Sequence, residues 1–386
     1  MKKRSKKIVI VSFTFFPELN GVANVAFSHA KFLASSGYDV EVITSNSSTT
    51  GNFETLPKGI SITRFDLKGS FKFHDLIRGD FIKCCKYVNS LMASAVYFHA
   101  WESWSTDICL FFNNSKSKLV IFSHGVSYKG NFSSFPRLRK FLLSPYRLIV
   151  PYLLRKADRV VLLSDVKDND RFYDSSLLAK HKEQDKGFVL PNFCPNFYHE
   201  YPSNDSLDIE LPSDYYVCVS NFQNLKNQEE LIKLLSEIPD INLVLVGSSQ
   251  TKYYSYLQRL AKELSVMDRV YFVVGISHES SMKILSNAKA FLLSSKTECF
   301  PLCVLESLSL DIPVISSNVG CLHAIDGVLI YESFQEFISL VEKVDVDLDY
   351  YNFVKSEIKE VKTKYSEDSI RKQLLEFTEA IIYDQS

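Results

Sequence analysis

The sequence predicts an α/β chain made of two Rossmann-like domains of similar size. Three observations carry this. Short apolar, β-branched runs alternate with helix-period segments from end to end, a polar stretch interrupts the alternation near the middle, and the alternation then restarts. Nearly continuous apolar strands separated by helices are what a parallel sheet covered on both faces requires.

In chain order, the first-half strands are IVIVSF (8–13), DVEVIT (39–44), ISITRF (60–65), AVYFH (95–99), LVIFSH (119–124), RVVLLS (159–164) and GFVLP (187–191). The second-half strands are YYVCVS (215–220), NLVLVG (242–247), RVYFVV (269–274), AFLLSS (290–295) and PVISS (313–317). Segments 22–36, 227–238, 253–264, 280–287 and 304–310 read as connecting helices. Residues 194–214, rich in Pro, Asn, Ser and acids and without apolar period, read as a linker. The expected organisation is a first domain over 1–195, a linker over 196–214, a second domain over 215–365 and a C-terminal helix over 366–386. Apolar residues at 370, 374, 375, 378, 381 and 382 give that helix one stripe, expected to pack back on the first domain.

Composition narrows the function classes. In 386 residues, 44 Lys and Arg stand against 45 Asp and Glu, a net charge of -1 that gives no reason to expect nucleic acid. No run of 18 apolar residues exists, so no transmembrane helix is expected. The basic MKKRSKK is followed by an apolar run that ends at Pro17-Glu18, too short for a signal peptide. Eight cysteines form no CxxC pair and have no histidine at zinc spacing. A cytoplasmic chain without metal is the expectation.

Ligands of open parallel sheets bind beyond the carboxyl ends of the strands. The residues to inspect are therefore the FFPELNG loop, His99, His124-Gly125, Ser164, Asn192, SNFQNLK, Gly247, SSKTECFP and SNVG. Two such rims facing one another make a cleft. The most pointed segment is Glu298-Cys-Phe-Pro-Leu-Cys-Val-Leu-Glu306. Pro301 suits the first turn of a helix, where its missing N–H is not needed. Free amides at that helix N-terminus seat phosphate, with Glu298 at the mouth and Glu306 about two turns in.

Strand, glutamate, Phe300 and the second glutamate followed by SLSLDIPVISSNVG resemble the Glu-x7-Glu motif of retaining GT-B glycosyltransferases, family 4 (group 1) above all. The resemblance extends over most of the chain. FTFFPELNGVANVAFSHAKFLASSGYDVEVIT is similar to that family's opening strand, glycine loop and first helix. DRVVLLSDVKDN resembles its serine-bearing strand end, VLPNF its inter-domain Pro-Asn signature, and YYVCVSNFQNLKNQEELI the opening of its second domain.

The resemblance implies two Rossmann-like domains facing across a cleft, a nucleotide-sugar donor (a UDP-sugar), a saccharide acceptor, retention of configuration and no metal or other cofactor. It implies that Lys226 neutralises the leaving diphosphate, that Glu298 serves the sugar and that Glu306 binds the ribose. Asn221 and the backbone near Phe300, Pro301 and Leu302 join the donor site, with Gly21 and His124 coming from the other domain. Four positions depart from the family pattern. Asn20-Gly21 replaces two glycines, Asn221 replaces an arginine, and Cys321 and Ala324 stand where a glycine and a glutamate are usual. His99 matches no family element and reads as structural. Asp345, Asp347 and Asp349 imitate the Asp-x-Asp metal motif of another glycosyltransferase fold, but they lie off any strand end and read as a solvated acidic turn. A sugar-nucleotide 2-epimerase of the same architecture and a catalytically silent binding subunit are the alternatives.

Charge counting adds a regional feature. Residues 108–157 contain no Asp or Glu, yet hold Lys116, Lys118, Lys129, Arg137, Arg139, Lys140, Arg147, Arg155 and Lys156. Basic and apolar residues interleaved, as in FPRLRKFLLSPYRLIVPYLLRK, are characteristic of an interfacial membrane segment. Arg137, Arg139, Lys140 and Arg147 are the expected membrane and acceptor patch, with Leu142, Leu143, Ile149 and Leu153 inserting where exposed. This places the chain on the inner face of a cytoplasmic membrane, acting on a lipid-linked acceptor in surface-glycan assembly.

Overall fold

The computed structural model describes residues 6–18, 20–46, 56–69, 78–126, 146–166, 172–194 and 209–383. The first sheet is built from β1 (Lys7–Ser12), β2 (Asp39–Ser45), β3 (Ile60–Phe65), β4 (Ala95–His99), β5 (Lys118–Phe122), β6 (Arg159–Leu162) and β7 (Gly187–Val189). Between and beside them lie α1 (Gly21–Ser35), α2 (Phe81–Ser90), α3 (Tyr146–Lys156) and α4 (Tyr173–Lys180). Every pairing in this sheet is parallel, in the order β3-β2-β1-β4-β5-β6-β7.

The second sheet contains β8 (Tyr216–Val219), β9 (Leu243–Gly247), β10 (Val270–Val274), β11 (Ala290–Leu293), β12 (Val314–Ser317) and β13 (Val328–Tyr331). Its helices are α5 (Gln228–Glu237), α6 (Lys252–Glu263), α7 (His278–Ser286), α8 (Leu302–Ser309), α9 (Phe334–Val346) and α10 (Leu348–Lys364). It too is wholly parallel, in the order β10-β9-β8-β11-β12-β13. Central strands such as β4, β9 and β11 are buried along their whole length, which is why they read as unbroken apolar runs.

The chain divides into two units, Met1–Pro191 with Ile370–Ser386, and Asn192–Ser369. The last helix, α11 (Glu367–Tyr383), returns to the first unit, burying Ile370, Leu374, Phe377, Thr378, Ile381 and Ile382. Tyr97 Oη on β4 donates to Thr378 Oγ1 at 2.8 Å, fastening α11 to the first sheet.

Both sheets reverse direction of strand order beside their first strand, between β1 and β4 in the first unit and between β8 and β11 in the second. Loops leaving adjacent strands part at such a point, and the crevice left between them is where open α/β sheets bind ligands. In the second unit these are the loops that carry Lys226 and Glu298. In the first they carry Asn20-Gly21 and His99.

Candidate active site

In the second unit, the loop after β8 ends in a single 3₁₀ turn, Asn224–Lys226, followed by Asn227 in the left-handed region. The loop is pinned to the end of β11: Ser294 Oγ donates to Asn227 O at 2.9 Å, and Lys296 N donates to Leu225 O at 2.9 Å. Buried Gln228 ties it from below, its Nε2 donating to Ser220 Oγ (2.8 Å) and Asn221 O (3.1 Å). So held, Lys226 Nζ lies 2.6 Å from Glu298 Oε1. Burial alone would lower the lysine's pKa, but the Glu298 charge and hydrogen bond outweigh it and the net shift is upward. Lys226 is a fixed, fully charged ammonium at the switch point.

Glu298 owes its place to a neighbouring loop. Gly320, at φ +59, lies so close beneath that a Cβ there would sit 2.4 Å from Cys299 O and 2.8 Å from Glu298 O. Cys321 N donates to Cys299 O at 3.3 Å. Pro301 is the N-cap of α8 and Leu302 its first residue, two positions before the 304–310 segment read as helical from the sequence. Glu306 is therefore one turn into α8, not two. It is buried and accepts from His278 Nε2 at 3.1 Å, a contact that raises the His278 pKa against the opposing effect of burial. His278, at the start of α7, was not singled out in the sequence.

Asn221, standing where the family pattern has arginine, accepts from Ser248 Oγ at 2.6 Å through its side-chain oxygen. That leaves its amide nitrogen as the end facing away from Ser248. Phe300 is buried, and its carbonyl accepts from Asn192 Nδ2 at 2.8 Å, which explains the Pro-Asn pair at the unit boundary. The acidic decoy is structural: Asp345 pairs with Lys289 (2.6 Å) and accepts from Tyr216 Oη (3.0 Å), while Asp347 caps α10 by accepting from Tyr350 N at 2.9 Å. The expectation of a solvated turn is corrected for Asp345, which is tied to two groups of the sheet layer.

In the first unit, Asn20 is the N-cap of α1, accepting from Ala23 N at 3.0 Å and donating to Thr14 Oγ1 at 2.8 Å. Gly21 opens the helix, and among the described residues nothing lies within 4 Å of where its Cβ would stand. His124 follows β5, half-buried, with Ser123 beside it bonded to the buried Asp174. Trp101 Nε1 donates to the same carboxylate at 3.3 Å. Burial raises the Asp174 pKa. His99 is not an isolated structural residue: its Nδ1 lies 3.2 Å from His124 Nε2.

The expected membrane patch is only partly placed. Arg137, Arg139, Lys140, Leu142 and Leu143 lie outside the described residues, and Arg147 lies in α3. Leu153 is wholly buried and Ile149 packs on the core, because Val150, Leu153 and Leu154 form the inward stripe of α3. The outward face instead presents Leu148 (81% exposed) and Tyr152. Tyr152 stacks near Phe111 (4.9 Å between centroids), which adjoins Phe112, 57% exposed. Lys156 lies over the Tyr152 ring and donates to Phe111 O at 2.6 Å. This aromatic and basic surface was missed because Phe111 and Phe112 sit 36 or more residues away in sequence from Leu148.

None of the described helices is long and apolar enough to cross a membrane. Among the described residues no group of three or more His, Cys, Asp or Glu is placed to hold a metal ion.

Comparison with known proteins bears on all of this. Residues 203–325 match the family described as "Glycosyl transferases group 1". The O-antigen biosynthesis glycosyltransferase WclY of Escherichia coli is 28% identical over 160 residues, 38% of this chain and 44% of that protein. Sucrose-phosphate synthase from Thermosynechococcus elongatus superposes with a TM-score of 0.77 at 18% identity, covering 97% of this chain and 98% of that one. Anabaena Alr3699/HepE, solved in complex with UDP and glucose, gives 0.70 at 15% identity over 97% and 99% of the two chains. The chain spans 44–49% of the length of the first curated relatives it matches. The GT-B fold and the resemblance to group 1 glycosyltransferases expected from the sequence both stand.

Proposed function

We propose that this chain, a GT-B fold whose residues 203–325 match the group 1 glycosyltransferase family, moves a sugar from a nucleotide-sugar, a UDP-sugar in the first instance, to a saccharide acceptor with retention of configuration. The observation that supports this most is the Lys226–Glu298 pair, 2.6 Å apart at the switch point of the second unit, beside the N-terminus of α8. The bond from the anomeric carbon to the diphosphate oxygen breaks, and the diphosphate leaves with the electron pair. The acceptor hydroxyl bonds to the same face of that carbon, and its proton passes to the departing phosphate oxygen. The protein's share is positioning and stabilisation of developing charge.

Lys226 and the amides at the start of α8 take the diphosphate charge. Glu298, held against Lys226, binds the sugar hydroxyls and supports positive charge as it develops on the ring. Glu306 accepts from the ribose hydroxyls, and Asn221 offers its amide nitrogen. The family resemblance supports a role for His124 at the donor sugar and for Gly21 at the diphosphate. No step of this transfer needs a metal, because a fixed ammonium stands where the leaving group's charge appears.

The exposed Phe111, Phe112, Leu148 and Tyr152, in an acid-free stretch rich in Lys and Arg, support peripheral docking on an anionic membrane surface. A lipid-linked acceptor and a cytoplasmic-face location follow from that docking, and surface-glycan assembly is the process it suits. The test is a panel of nucleotide-sugars, read by thermal stabilisation and by release of nucleoside diphosphate with and without saccharide acceptors. One donor is expected to stabilise the protein and be turned over. An epimerised nucleotide-sugar as product, or stabilisation by none of the panel, overturns the proposal.

A further inference from the structure

We infer that His99 is a positioning residue for His124: its Nδ1–H donates to His124 Nε2 and so fixes His124 in the tautomer that carries its proton on Nδ1. This rests on the role proposed for His124 at the donor sugar, and it says what that role is. With Nε2 engaged as an acceptor and Nδ1 protonated, His124 has no lone pair left to take a proton. It is a hydrogen-bond donor to a substrate oxygen, not a general base.

The geometry chooses the direction of the bond. The two nitrogens are 3.2 Å apart, so one donates and the other accepts. The remaining nitrogen of His99, Nε2, is buried and has no hydrogen-bond partner among the described residues. If His124 donated, His99 would carry its proton on Nε2, and a buried N–H would be left without an acceptor. Such orphaned donors are rare, rarer than an unsatisfied acceptor. With His99 donating through Nδ1, what is left buried and unpaired is only a lone pair.

Ring packing holds His99 in place. His99 is wholly buried and stacks on Phe122 with centroids 4.9 Å apart and planes 2° from parallel. His29 of α1 closes the other side, its ring centroid 5.4 Å from that of His99. Burial drives all three histidines toward the neutral form, His29 to about 3, His124 to about 4 and His99 well below the ordinary value. A neutral His124 has two tautomers, so something must choose between them. His99 sits at the end of β4, at the switch point of the first sheet, where its neighbour's donor is aimed by a strand end and not by a free loop.

The experiment is ¹⁵N NMR of histidine-labelled, full-length protein, with His99→Asn and His99→Phe alongside. Wild type should show His124 protonated on Nδ1. Asparagine, whose amide nitrogen can stand in for Nδ1 of histidine, should keep that tautomer and stay within about threefold of wild-type kcat/KM. Phenylalanine should release it and lower kcat/KM roughly tenfold, the worth of one well-formed hydrogen bond. A His124 protonated on Nε2 in the wild type, or identical behaviour of the two variants, overturns the inference. His124→Phe separates this from the reading it rests on: full activity in that variant, alongside a wild-type His124 protonated on Nδ1, removes the catalytic role and leaves the His99–His124 bond of the wild type standing.

Discussion

Replacing Gly320 with alanine tests whether the Glu298 loop is positioned as described. At φ +59 an alanine pays about 1–2 kcal/mol for the left-handed conformation. Its Cβ would also stand 2.4 Å from Cys299 O and 2.8 Å from Glu298 O, both backbone atoms, so the loop must move rather than a side chain. Overpacking of this kind costs about 1–3 kcal/mol more. The expected loss is roughly 2–5 kcal/mol, or roughly 4–20 °C in Tm for a unit of this size. Because the displaced carbonyls belong to Glu298 and Cys299, turnover should fall with stability. Gly21→Ala is the counterpart. Nothing lies within 4 Å of its Cβ and it opens a helix, so stability should hold or rise by about 0.5–1 kcal/mol. Donor affinity should nevertheless fall, since the methyl group narrows the approach to the α1 amides. Urea titrations and steady-state kinetics on both variants give the answer. A Gly320→Ala protein within 0.5 kcal/mol of wild type and with unchanged kcat would refute the reasoning.

Glu306→Ala should mainly raise the KM for donor, since ribose contacts are alike in ground and transition states, while Glu298→Ala should mainly lower kcat; the reverse pattern in steady-state kinetics would exchange their roles. The His278–Glu306 pair makes stability pH-dependent in a stated direction. A histidine whose pKa is raised on folding contributes stability fully below its unfolded value near 6.5 and loses it as pH rises through the folded value. The Tm gap between wild type and His278→Gln should be widest in mild acid and close at alkaline pH, and a gap constant from pH 5 to 9 would contradict this. On anionic liposomes at low salt the protein should cosediment and be released as salt screens the attraction. Leu148 and Phe112, 81% and 57% exposed, contribute together about 2–4 kcal/mol if buried in lipid, so replacing both with serine should weaken binding about 30-fold or more. Equal binding to neutral and anionic vesicles would count against docking.

The two parallel sheets were legible because their strands are buried on both faces and therefore apolar without interruption, as in LVLVG (243–247) and AFLL (290–293). Edge strand β13 (Val328–Tyr331) was not: VLIY is only four residues long, flanked by no strong turn signal beyond Gly327. Helices α2, α3, α4, α9 and α10 were passed over, α3 because Pro151 interrupts its pattern and α10 because charged residues crowd its exposed face. Lys226 and Glu298 were singled out through their family counterparts, and the fold sets them 2.6 Å apart. The partners of Glu306 and His124 were not, since His278 lies 28 residues before Glu306 and His99 lies 25 before His124. Only the sheet topology, which sets β4 next to β5 and α7 beside α8, brings each pair together. Gly320 was noticed for its neighbours' departures from the family pattern. Its own necessity lies in a tertiary contact with residues 298 and 299 that no local pattern encodes.

The central claim is that Lys226 carries the leaving group's charge, and Lys226→Ala under donor saturation tests it most directly. Removing one preorganised charge-stabilising donor should lower kcat by roughly 10²-fold or more. The fold should survive, because Lys226 lies in the polar 3₁₀ turn after β8 and its side chain is partly exposed. A folded Lys226→Ala enzyme turning over its donor at the wild-type kcat would contradict the claim.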